Sequence, residues 1–420
     1  MNNKNNNNQT RVVASLLALS VLTPAAWADG FLEDSKATFI AKNFYFNRDF
    51  RDGAGQNKRE EWGQSFLIDY RSGYTAGAVG FGIDALGMLG LKLDSSPDRT
   101  NSGLLPIYSD GRAPGEFSKG GVIGKVRVSR TEFKVGNGFV PVQPTLVANN
   151  GRMLPQIFQG ATLDSADLKP LTLTAARFDR QTDRAADHST DLALFNKNGR
   201  FRGTVESDHF TLAGGTYTVT PNLALTYQHA ELEDIYRQHY LGLVHSMPLG
   251  EGKFKSDIRY FVSDEAGSGL GGKVDSRSIS GAFTYSLKNQ ALTLGYVRNG
   301  GDTAVPYVNG TDAYLPNFVL INDFDGPEEH SWQLRYDFDF ARFGVPGLTA
   351  RALYVKGDNI ALANGDEGKE WERNFEVQYL VQSGPLKNFG VRWRNGTSRA
   401  NYTRSVDENR LIITYTLALF

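Results

Sequence analysis

The sequence contains no cysteine. That excludes a disulfide framework and any thiolate-held metal or cluster. Long hydrophobic runs are missing too. After residue 28 no stretch approaches the roughly 18–20 apolar residues that a membrane-spanning helix needs. The two signs of charge almost cancel, with 45 Lys and Arg against 46 Asp and Glu, so no basic excess points to nucleic acid. The six histidines (His188, His209, His229, His239, His245 and His330) show no metal-ligand spacing, so neither a metal nor a cofactor is expected. No G-x-S-x-G elbow occurs, and Gly80-x-Gly82 with Gly87 and Gly90 lacks the strand-then-helix setting of a phosphate loop. A sustained helical period is absent as well.

What is abundant is glycine, 45 residues, together with 26 Phe and 18 Tyr, in a chain whose mean hydropathy is only −0.37. The first 28 residues explain where such a chain belongs. A polar run carrying Lys4 and Arg11 leads into the apolar stretch Val12–Leu22, then Pro24 and the small-x-small triplet Ala26-Trp27-Ala28. A positive start, a short apolar centre and an A-x-A site read as a secretory signal peptide over 1–28, leaving 29–420 as one exported unit. An exported, Cys-free, polar but aromatic-rich chain has the profile of a transmembrane β-barrel, where only alternate strand residues meet lipid. A secreted β-sandwich shares that composition.

Connections decide between them. Short turn clusters recur at Thr220-Pro221-Asn222, Met247–Gly250, Lys288-Asn289-Gln290, Gly344–Gly347 and Ser383–Lys387. Proline fixes φ there, and Gly or Asn tolerates positive φ. Longer polar segments near 231–238, 263–278, 299–330, 357–371 and 395–409 alternate with them. The N-terminal half repeats the scheme, with strands near 35–46, 61–74, 78–92, 119–129, 131–135, 161–168, 171–179 and 206–218. Counted as hairpins, the pattern gives nine, hence an all-β, 18-stranded antiparallel transmembrane barrel. Within strands, Val79, Phe81 and Ile83 oppose Gly80, Gly82 and Asp84, and Phe66, Ile68 and Tyr70 oppose Asp69 and Arg71. At the end Leu411, Ile413, Tyr415, Leu417 and Leu419 form one apolar face, yet the terminal Phe420 has the opposite parity.

Two features carry chemistry. Arg392 and Arg394 are two apart, opposite Val391 and Trp393, so both guanidinium groups enter the lumen if the apolar pair meets lipid. Arg410 opens the last strand, which closes beside the first, where Lys42 and Arg48 share one parity. These bases are expected to form an anion-guiding ladder on one wall; the alternative is that each is paired with a neighbouring acid. The segment 136–160 is too apolar for a solvated external loop, so it is expected to fold inward and narrow the lumen, with Arg152 at the constriction.

At Asn43–Asp49, Gly80–Ala85, Leu89–Asp94, Gly151–Gln156, Glu231–Gln238, Asp323–Pro327, Ser331–Gln333, Gly344–Thr349 and Val381–Pro385 the sequence resembles the OprD family of outer-membrane carboxylate channels. The resemblance implies a porin in the Gram-negative outer membrane, a monomer or loose trimer among lipid and lipopolysaccharide. It implies passive, selective diffusion of small carboxylate-bearing nutrients past the basic ladder of Lys42, Arg48, Arg392, Arg394 and Arg410. The compact later loops favour cyclic or aromatic monocarboxylates. The alternative is a channel for basic amino acids such as arginine, for which Asp323 and Asp325 would be the opposing acids. A barrel enzyme or an adhesin is a further, weaker reading.

Overall fold

Alternation of side chains along each strand puts two incompatible surfaces on one sheet, and in lipid such a sheet must close on itself. The computed structural model describes residues 30–196, 201 and 205–420. The signal-peptide assignment to 1–28 lies outside the described residues. The barrel strands are β1 (Lys36–Phe50), β2 (Lys58–Arg71), β3 (Val79–Asp94), β4 (Glu116–Val128), β5 (Thr131–Phe139) and β6 (Ile157–Ser165). They continue as β7 (Leu171–Thr182), β8 (Phe210–Thr220), β9 (Leu223–Leu232), β10 (Tyr236–Leu249), β11 (Gly252–Glu265) and β12 (Asp275–Leu287). The last six are β13 (Gln290–Gly300), β14 (His330–Asp339), β15 (Leu348–Ala361), β16 (Glu367–Leu380), β17 (Phe389–Ala400) and β18 (Val406–Ala418).

All 18 form one antiparallel sheet in sequence order. It is closed by β1 on β18, where Thr38 faces Ala418 and Phe50 faces Val406. Closure pairs every strand edge, which hydrocarbon requires because it offers no hydrogen bonds. No helix among the described residues is long and apolar enough to cross a membrane; the crossing is made by strands.

The outer wall is apolar. Val79, Phe81, Ile83, Val122, Phe133, Leu294 and Trp393 are all exposed, as expected of a surface whose solvent is lipid. The core lies inside the barrel. Phe44, Phe46, Met88, Leu104, Met153 and Leu154 pack together there, and a second cluster gathers Phe139, Phe158, Phe178, Leu192 and Val308. Loops supply much of both clusters, so the packed interior consists of loops folded back against the inner wall. The long connections, 95–115, 140–156, 183–209 and 301–329, all leave the same barrel end, while turns such as 129–130, 221–222 and 288–289 close the other.

Two details differ from the sequence reading. The inward segment spans 140–156 rather than 136–160, because β5 runs through Gly136-Asn137-Gly138 and β6 starts at Ile157. Those glycines serve close strand approach: a Cβ on Gly136 would stand 2.0 Å from the Val122 carbonyl oxygen. At the C-terminus β18 ends at Ala418, so strand parity no longer governs Phe420. Its ring packs on the outward Tyr70 at 6.4 Å, and its carbonyl accepts from Ala37 N at 3.2 Å.

Candidate functional site

Segment 140–156 crosses the lumen because polar groups hold both its flanks. On one side Thr145 donates its amide (3.1 Å) and hydroxyl (2.5 Å) to Gln228 Oε1 of β9. On the other, Lys42 Nζ donates to the Arg152 carbonyl at 2.9 Å and Ser65 Oγ to that of Met153 at 3.2 Å. Lys42 is thus an anchor of the inward loop. Gly63 leaves room for it, since a Cβ there would stand 2.4 Å from Met153 Sδ. Loop 301–329 joins the same plug: Asp312 N donates to Val147 O at 2.9 Å, and Asn149 Nδ2 to Asp312 Oδ1 at 2.6 Å.

Between these loops and strands β1, β17 and β18 lies a cavity of about 670 Å³. Arg48, Arg152, Arg394 and Arg410 line it, and so do Arg59 and Arg184, which the sequence did not single out. Arg152 Nε donates to the Ser102 carbonyl at 2.9 Å, and its guanidinium lies 4.9 Å over the Phe46 ring. Arg48 and Arg410 approach the same ring, at 5.6 and 5.5 Å, so one buried aromatic ring serves three cations. Burial, and then the Arg410 and Arg184 charges, push the Arg152 guanidinium well below its ordinary value. An incoming anion would relieve that cost.

The wall arginines do not stand alone; they share carboxylates. Arg48 (2.5 Å) and Arg410 (2.5 Å) both hold Glu408, and Arg392 (2.7 Å) and Arg394 (2.9 Å) both hold Glu376. Arg335 (2.8 Å) and Arg351 (2.5 Å) repeat the motif on Asp337. Each triplet of two bases and one acid keeps one net positive charge. Register connects them: Arg410 faces Arg394, Arg394 faces Glu376, Glu376 faces Arg351, and Arg351 faces Asp337, along one rung of five strands. Arg392 lies beside this rung, outside the cavity.

The two proposed acids separate. Asp323 lines the cavity, whereas Asp325 is fully buried in loop 301–329. A second lining acid, Asp312, has its carboxyl raised by burial from 3.8 to about 6. The lining also includes Phe195 and Tyr307, whose rings stack at 4.7 Å with 24° between planes. Among the described residues no group of three or more metal-ligating side chains occurs.

A closed barrel with an apolar exterior and a charged, loop-narrowed lumen defines a transmembrane channel of the porin class. Comparison with known proteins is consistent with this throughout. The model of the outer membrane porin, OprD family, matches residues 29–419, and the chain belongs to that family. It is therefore a porin of the Gram-negative outer membrane. It is 39% identical to the porin-like protein GalP of Pseudomonas putida, over 94% of each chain. Among solved structures, Pseudomonas aeruginosa OccK5 (OpdH) is 51% identical with a TM-score of 0.84, covering 93% of this chain and all of that one. Pseudomonas aeruginosa OpdK, solved with vanillate, is 37% identical with a TM-score of 0.87 at the same coverage.

Proposed function

We propose that this porin admits small carboxylates by passive, selective diffusion, foremost cyclic or aromatic monocarboxylates. The observation that carries this reading is the mixed lining of one cavity, where six arginines and the stacked Phe195–Tyr307 pair meet the same space. A guanidinium fork matches a carboxylate in geometry as well as charge. An aromatic face favours a flat ring. An acid with a ring and one carboxylate can engage both kinds of group at once. The vanillate held by OpdK, an aromatic carboxylate, supports the same assignment. Lys42, Arg48, Arg152, Arg392, Arg394 and Arg410 are proposed to act together, Lys42 by fixing the inward loop and the arginines by attracting the anion.

A second reading, uptake of basic amino acids, draws on Asp312 and Asp323, which line the same cavity as the arginines. Swelling of proteoliposomes holding the purified protein separates the two. Faster swelling in benzoate than in arginine supports the carboxylate reading; the reverse order overturns it in favour of the second.

A further inference from the structure

Loop 301–329 does more than line the cavity. Its segment 316–322 runs along the inner wall and is pinned at both ends. At the near end, on β14, Gln333 Nε2 donates to the Pro316 carbonyl at 2.9 Å, and the fully buried Asn317 donates to Ser331 Oγ at 2.8 Å. At the far end the backbone is pinned by one carboxylate. Glu372, fully buried on β16, accepts three successive backbone N–H groups: Leu320 at 3.1 Å, Ile321 at 3.0 Å and Asn322 at 2.7 Å. Arg410 adds a bond to the Leu320 carbonyl at 2.8 Å, and Asn322 Nδ2 donates to Glu370 Oε2 and to Ser398 Oγ, each at 2.9 Å. β17 makes room with Gly396, where a Cβ would stand 2.9 Å from both the Leu320 and Ile321 side chains.

This segment separates two spaces. Above it is the cavity of about 670 Å³; below it is one of about 150 Å³ that includes Arg335, Arg351 and Glu376. Phe318, Val319, Leu320 and Arg394 border both. The three N–H groups on Glu372 have no strand partner, and a carboxylate buried without donors would be costly, so each satisfies the other. Charge-assisted bonds of this kind are strong, and here a single side chain makes three of them.

We propose that 318–322 is a latched partition dividing the pore into two chambers in series, and that Glu372 is the positioning residue that sets its size cut-off. Arg394, bordering both chambers, is the step between them. Releasing the latch frees the segment's far end, merges the chambers and widens the passage, while the barrel wall and the basic triplets stay in place.

The test uses full-length protein in planar bilayers of potassium chloride with uncharged polymers of graded size, so its outcome does not depend on which solute is carried. Glu372→Gln replaces one acceptor with a donor facing the amides. Its open conductance is expected to rise roughly twofold, with larger polymers entering, because a constriction's width sets both. The chain has no native cysteine, so Asn322→Cys with Ser398→Cys can be added to Glu372→Gln as a lock read within one folded channel. Oxidation is expected to restore the wild-type conductance and polymer cut-off, and reduction to release them. A cut-off unchanged in Glu372→Gln, or identical in the oxidised and reduced forms of the locked channel, would overturn the proposal.

Discussion

Replacing Arg394 by alanine removes one base from a triplet in which Arg392 and Arg394 share Glu376. The triplet's net charge falls from one positive to zero, at the one arginine among the described residues that borders both chambers. A hydrogen bond to a charged group is worth roughly 1.5–3 kcal/mol, and the low end applies because the Arg394 side chain is a quarter exposed to lumenal water. About 1.5 kcal/mol corresponds to roughly a tenfold loss of carboxylate affinity. The assay is block of chloride current by benzoate in a planar bilayer, with the reversal potential measured across a salt gradient. Arg394→Ala should raise the half-blocking benzoate concentration about tenfold and lower the preference for anions. Arg394→Lys should keep that preference but weaken the block, because a point charge replaces the fork. If Arg394→Ala leaves both readouts at the wild-type value, the triplets are structural pairs and the ladder argument fails.

Two other consequences are directly measurable. Asp312, raised to about 6, carries its charge at pH 7 and loses it below that value, so anion preference should rise as pH falls from 7 to 5; Asp312→Asn should show the high preference at both pH values and flatten the step. Phe195→Ala breaks the stack with Tyr307 and should reduce the preference for benzoate over a short aliphatic acid by about 0.5–1.5 kcal/mol, roughly two- to tenfold, in competition flux.

The barrel was legible because its determinants are local. Alternation is a property of adjacent residues, and turn chemistry of two to five, so nine hairpins could be counted without knowing any register. The inward direction of Arg392 and Arg394 followed from Val391 and Trp393 in the same way. The partners of these arginines were not legible. Arg48 meets Glu408 from 360 positions away, and only closure of β1 on β18 brings them together. One local clue existed: Glu408 and Arg410 are two apart on one strand, hence on one face. Arg59 had a similar parity clue. Arg184 and Asp312 had none, because loop residues carry no period, and their positions depend on where folded-back segments come to rest. The same applies to Glu372, whose role appears only when three backbone amides of another loop reach it.

Sharing of acids between bases bears on how the channel can be both selective and fast. A row of unpaired guanidiniums would hold a carboxylate too tightly to release it, and passage requires binding that is favourable at entry and weak enough to leave. In each triplet the acid already occupies part of both forks, so an arriving anion competes for donors and meets one net charge where two bases stand. Successive triplets lie along one rung, Arg410–Arg394–Glu376–Arg351–Asp337, so a carboxylate leaving one partly satisfied fork has the next within reach. On this reasoning removing the acid is as harmful to transport as removing a base, by the opposite route. Glu376→Gln leaves two uncompensated arginines, which should tighten benzoate block while slowing benzoate flux. Arg394→Ala should loosen the block. Opposite signs in block from the two variants, with slower flux in both, are what a relay of half-satisfied forks requires; loosened block in both would mean that Glu376 serves only to hold the arginines in place.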